Sequence, residues 1–224
     1  MHLAKDINKR LMESKLLSLL GETITLSSLI RMMDKAISPF GAKAIVKKEK
    51  KKKFKSILSI SGYYLQGKRG MELVVLYHVH HLRKTLCLTT KLINKILFFT
   101  SQTVQHELNH QYQFERQGEG FYTKKIKMAY SNKMSRKRAE DIEYCCVRDE
   151  IDCCGRDIAM EIKNQYPNIA LKTVINTIDT RNLLTFRFYK KTFRGVDWTP
   201  VRKALLKKVC KWYPEVTVIP KFAP

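Results

Sequence analysis

No apolar run in this 224-residue chain reaches the roughly 18–20 residues that would span a bilayer, so no membrane segment is expected. The charged N-terminus is not followed by a clean apolar stretch ending in a small-residue cleavage site, so no signal peptide is expected either. Six cysteines are present, but they lack the even scatter of a secreted disulfide framework, and a reducing, cytoplasmic setting follows. C-x₂-C spacing is absent as well. Adjacent cysteines on a helix or strand point apart, which weakens Cys145-Cys146 and Cys153-Cys154 as a structural zinc site. There is no Gly-rich phosphate loop and no internal repeat. Acidic residues are scarce, 20 against 43 Lys and Arg, giving a formal charge of +23.

That charge is unevenly spread. Residues 1–100 carry +14, residues 101–167 are neutral, and residues 168–224 carry +9. The densest run is Lys47–Lys55, with Lys50, Lys51, Lys52 and Lys53 uninterrupted. Such a run reads as a solvated linker or strand edge, or as a nucleic-acid contact driven by counterion release. Hydrophobic content of 44% with 10 Tyr, 10 Phe and 2 Trp excludes a disordered chain. The length suffices for one good core plus a small appendage.

What the chain does have is His106-Glu107-Leu108-Asn109-His110, an H-E-x-x-H motif. On a helix the two histidines leave one face a turn apart and can reach a single Zn²⁺ at about 2.0–2.1 Å. Glu107 projects about 100° away, suited to take a proton from an attacking water. The segment 101–117 has no Pro or Gly before Gly118, so a helix ending there is expected. Val104, Leu108 and Tyr112 form one apolar stripe, with the histidines nearly opposite.

A catalytic zinc site usually takes a third protein ligand and keeps one position open. No histidine follows His110, so the third ligand is acidic, a cysteine, or one of His78, His80 and His81. Two histidines on one strand face are more often packed or surface imidazoles than ligands. The best alternative lies in Asp149–Ile162. Read as a helix, this segment puts Glu150, Cys154, Asp157 and Glu161 on one stripe and Ile151, Ile158 and Ile162 on another. A solvated acidic face would explain Glu161 well.

The pair HELNHQYQ and DEIDCCGRDIAMEI resembles the two zinc helices of zincin-type metallopeptidases whose third ligand is a glutamate. The nearer likeness is to small, mostly uncharacterised bacteriophage members, which carry a tyrosine shortly before an E-I-[DE]-A-[YF]-A helix. It covers roughly residues 84–165, and Cys153 and Cys154 stand where small and aromatic residues are usual. The resemblance implies a zinc-dependent hydrolase cutting a peptide amide, with His106, His110 and Glu150 as ligands and Glu107 as base. From placement, Tyr144, six residues before Glu150, is a candidate oxyanion donor, and Asp157 a candidate partner orienting a zinc-bound imidazole. The partner would be a protein or peptide substrate, and the setting the host cytoplasm if the source is viral. The rival is a basic nucleic-acid-binding or virion-associated protein in which the motif is degenerate or structural.

The expected fold is α+β and zincin-like: a small antiparallel sheet against the two zinc helices, with helical flanks. Helices are predicted over Lys5–Leu20, Thr25–Ile37, and near 169–179, 181–193 and 200–213. Strands are predicted at 56–61 and 72–80, paired across Gly67–Gly70, with Thr85–Thr89 as a candidate third. Arg136-Lys137-Arg138 reads as loop. The expected division is a helical region 1–46, a basic segment 47–55, a core 56–167 and a basic helical region 168–224.

Overall fold

The structure is a computed structural model describing residues 3–13, 16–48, 58–67, 70–79, 85–117, 124–128 and 134–218. Lys50–Lys53, His80 and His81 lie outside the described residues, and so does most of the predicted basic segment. The chain mixes helices with small sheets, and it forms two compact units, residues 1–111 and 112–218. The division between the units falls within the expected core of 56–167.

In the first unit, α1 (Leu3–Glu13) stops seven residues short of the predicted end, and a short 3-10 turn covers Leu17–Leu19. Strand β1 (Thr23–Thr25) leads into α2 (Leu26–Ile37), where Thr25 Oγ1 accepts the Ser28 N–H and caps the helix. Ile7, Leu11, Leu29, Met33 and Ile37 recur at helical spacing and are fully buried. Each contributes roughly 1.5–3 kcal/mol by leaving water. Gly41, at φ 71°, ends the helical region in a left-handed turn that favours glycine.

Next comes β2 (Ala42–Lys48), a strand where the sequence suggested the end of a helical region and the start of a basic segment. It pairs in parallel with β4 (Gly70–Val79), and Asp34 of α2 accepts the Ala44 N–H at 2.8 Å. Strand β3 (Leu58–Gly67) pairs antiparallel with β4 through the predicted hairpin, with Gly67 opposite Gly70. The order β2-β4-β3 makes this sheet mixed, not purely antiparallel, and leaves β3 at an edge. The short strand β5 (Thr85–Cys87) pairs with β1 in a separate two-stranded ribbon, not as a third strand of the hairpin sheet.

Helix α3 (Thr90–Gln117) is a continuous 28-residue helix that crosses the boundary between the units and ends just before Gly118, as expected. Its first half is anchored by buried Ile93, Ile96, Leu97 and Val104.

Among its described residues the second unit is helical apart from one isolated antiparallel bridge between Lys125 and Val147. It comprises α4 (Arg136–Cys145), α5 (Arg148–Gln165), α6 (Leu171–Asn176), α7 (Leu184–Thr192) and α8 (Thr199–Trp212). The basic run 136–138 opens α4 and is not a loop; its Arg136–Glu140 pair has the i,i+4 spacing that supports a helix. Every residue of α5 from Asp149 to Ile162 is buried. Gly155 makes this possible against α8, where a Cβ would collide with Lys208 Cβ and come within 3.2 Å of Val209 N. No helix among the described residues is long and apolar enough to cross a membrane.

Candidate metal centre

The H-E-x-x-H segment lies inside α3, and its histidines meet as the spacing requires. The Nε2 atoms of His106 and His110 are 3.1 Å apart, with ring centroids 4.8 Å apart. Two zinc–nitrogen bonds of about 2.05 Å at a tetrahedral angle would hold those atoms about 3.3 Å apart, so the pair fits two ligands of one zinc. The same separation also suits a single N–H···N hydrogen bond between neutral imidazoles.

Burial on this helix runs against the simple amphipathic reading. Val104 is buried, but Leu108 is half-buried and Tyr112 is 48% exposed. On the polar side Glu107 is 7% exposed, Asn109 2% and His110 4%. A helix that buries imidazole, amide and carboxylate groups while exposing a tyrosine is not a solvated surface helix, because unmatched polar burial costs several kcal/mol per group.

Sequence reasoning missed Gly62. A Cβ there would collide with Thr103 Cγ2 and approach Cγ and Oε1 of Glu107 to 3.2 Å. Glycine in the middle of edge strand β3 lets α3 close on the backbone beside the Glu107 carboxylate. The available signal was a glycine interrupting the alternating run Ser56–Ser61 before Tyr63-Tyr64, where an isolated strand glycine marks close backbone approach.

The remaining candidates belong to the second unit. Glu150 is buried in the first turn of α5, where its Oε1 accepts the Cys154 thiol at 3.2 Å. Burial, then the Glu150 and Asp157 carboxylates, push the Cys154 thiol well up. Burial is also the first cause for Cys145 and for the Tyr189 hydroxyl, and Glu150 adds to both. A carboxylate thus sits among two thiols and a phenol that all stay protonated. Asp157 is buried on the same helix. Tyr144 is 49% exposed at the end of α4, so the structure does not enclose it in a cleft. His78 lies on β4.

Two α5 acids have structural duties instead. Glu161 is 1% exposed, not solvated: its carboxylate accepts the Thr185 N–H at 3.1 Å and the Thr185 hydroxyl at 2.6 Å, capping the N-terminus of α7. Asp152 accepts from Lys208 at 2.6 Å, Lys211 at 3.3 Å, Trp212 Nε1 at 3.2 Å and Gln113 Nε2 at 3.2 Å. Burial pushes its carboxyl up, but Lys208, Lys211 and Trp212 outweigh burial and hold it below its ordinary value.

No protein-family model matches the chain, and no curated protein or solved structure is significantly similar to it.

Proposed function

We propose that the chain is a zinc-dependent hydrolase of the zincin type, a metallopeptidase cleaving an amide bond of a protein or peptide. The observation that carries this reading is the imidazole pair 3.1 Å apart on one helix with a buried glutamate next in sequence. In the proposed site His106 and His110 hold the metal with Glu150 as third ligand. Cys153, Cys154 and Asp157 are competing donors on the same helix. Bound zinc would supply Lewis acidity, polarising the scissile carbonyl and acidifying water. Glu107 takes the proton of the attacking water and delivers it to the leaving amine. Its placement against the bare backbone of Gly62 supports that role, since it limits where the carboxylate can go. Tyr144 as oxyanion donor and Asp157 as a partner orienting an imidazole complete the proposal.

The test is metal content followed by turnover. Purified protein should hold one zinc per chain, His110→Ala none, and Glu107→Gln should keep the metal while losing about 10²–10⁴-fold in peptide hydrolysis. Zinc lost from Glu107→Gln would refute the division of roles. Among the α5 donors, retention by Glu150→Gln with loss by Cys154→Ser would move the third ligand to the thiol.

The charge of +14 and +9 on the flanks favours a second reading, a basic protein that binds nucleic acid or a virion component in which the motif is structural. Zinc-free, correctly folded protein whose affinity for duplex DNA weakens steeply with salt would favour it. Changing Lys50, Lys51, Lys52 and Lys53 to Gln should then flatten the salt slope by about 0.9 for each phosphate no longer neutralised.

A further inference from the structure

Helix α7 separates its side chains sharply. Phe186 and Tyr189 are buried, and Phe193 just beyond the helix continues their stripe. Tyr189 stacks on Phe193 with centroids 6.2 Å apart, and Phe193 stacks on Trp198 at 5.6 Å. With that face occupied, Leu184 and Phe188, one turn apart, are 49% and 47% exposed. They line an open depression of about 750 Å³ within the second unit.

Its rim is cationic. Arg181, Arg187, Lys190, Lys191 and Arg194 surround it with one acid, Asp179. Asp179 is already engaged, by Arg202 at 2.9 Å and Lys190 at 3.4 Å. Two of the arginines are fixed by neutral partners, which orient them without cancelling their charge. Arg187 Nη1 donates to Asn182 Oδ1 at 2.6 Å. Arg181 Nε donates to Thr177 Oγ1 at 3.0 Å, and its guanidinium lies 4.9 Å from the Tyr166 ring centre.

We propose that this depression binds single-stranded nucleic acid, with backbone phosphates on Arg181, Arg187, Lys191 and Arg194 and an unpaired base on Phe188. An exposed aromatic inside a basic groove is the combination that such strands use, since every base has a stacking face and every nucleotide a phosphate. A duplex hides its bases from Phe188, and an anionic lipid surface offers no ring for a concave site to hold. This site depends neither on the zinc reading nor on the run Lys50–Lys53.

The probe is a fluorescent oligothymidylate of about 12 nucleotides, titrated from about 50 mM salt upward. Phe188→Ala, an exposed position, should weaken binding from about 5-fold to more than 100-fold at fixed salt and leave the salt slope unchanged. Arg187→Gln with Lys191→Gln should flatten the slope by about 1.4, at roughly 0.7 per single-strand phosphate. Changing Lys50–Lys53 to Gln should leave the Phe188 dependence in place. Phe188→Ala within twofold of the parent overturns the proposal. So does equal affinity for a duplex of the same length, or Phe188-dependent retention on phosphatidylserine vesicles without oligonucleotide binding.

Discussion

Helices α3 and α5 both bury polar residues, but for different reasons. On α5 three of the six buried charges answer to neighbouring helices: Asp152 ties α8, Glu161 caps α7, and Arg156 lies 5.2 Å from the Trp212 ring centre. On the motif turns of α3 the buried groups are imidazole, amide and one carboxylate, and the contact beside Glu107 is a glycine backbone. Buried charge alone therefore does not mark a site. Capping and ion-pairing account for the burial of Glu161 and Asp152, whereas Glu107 is marked by the imidazoles around it, whose Nε2 atoms lie 3.1 Å apart.

Among the described residues each unit has one glycine that admits a close approach, and the two should differ in what alanine does to hydrolysis. At Gly62 the obstacles are side chains, Thr103 Cγ2 and Glu107. Thr103 Cγ2 belongs to a stiff β-branched side chain within α3, so an added Cβ must shift the strand or the Thr103 rotamer, against a strand gain from alanine of roughly 0.5–1 kcal/mol. Gly62→Ala should cost about 1–3 kcal/mol of stability and, beyond that loss, lower hydrolysis about 10- to 100-fold by displacing the proposed base. At Gly155 the obstacles include the backbone of Lys208 and Val209, which cannot move cheaply. Overpacking there should outweigh the helix gain of about 1 kcal/mol and leave a net loss of about 1–3 kcal/mol. Urea melts, zinc content and hydrolysis measured on both variants separate the cases. Gly155→Ala should change zinc content no more than its stability loss explains. Full activity in Gly62→Ala would remove the functional meaning of the β3 approach.

Asp152 sharpens the structural half of the contrast. Its folded carboxyl is held below the usual value of 3.8, so it contributes stability that is fully present above about pH 4 and is lost as the pH falls through the folded value. Asp152→Asn keeps an acceptor for Trp212 but loses the lysine attraction. It should cost about 1–3 kcal/mol at pH 7 and flatten the acid limb of a stability–pH curve. Lys208 and Lys211 are themselves 34% and 49% exposed, so the lower half of that range is expected. An unchanged acid limb would show that Asp152 is not what couples α5 to α8.

Local pattern carried much of this fold. The β3–β4 hairpin was legible from alternation around Gly67 and Gly70, and α7 and α8 fall where helices were expected, near 181–193 and 200–213. Strand β2 was not legible, because its inward residues include Ala42 and Ala44 between exposed Lys43 and Ile45, a weak period-two signal. Its partner, β4, lies beyond the intervening β3, so no turn announces the pairing. At the site, the motif and the helix around it were legible, while the inverted burial of α3 was not. Periodicity locates a polar face without saying what covers it. The same blindness left a solvated face as a good account of Glu161, although α5 buries every residue from Asp149 to Ile162.

The smallest effect expected is on α4, whose basic start read as loop. Arg136 Nε and Glu140 Oε1 are 2.9 Å apart, closer than Lys211 and Asp152, yet their side chains are 94% and 62% exposed. Water and salt screen such a pair, and holding two long side chains together costs rotamer freedom. Glu140→Gln should therefore destabilise by under about 0.5 kcal/mol, and raising salt to about 1 M should erase even that. The anchors of α4 are Ile142 and Cys145, both fully buried, not its charges. Cys145→Ser would place a hydroxyl where burial already holds the thiol protonated, and should cost more than Glu140→Gln despite changing one atom. If Glu140→Gln proved the more damaging of the two, distance rather than burial would be the measure of a charge in this protein, and the contrast between α3 and α5 would have to be drawn again.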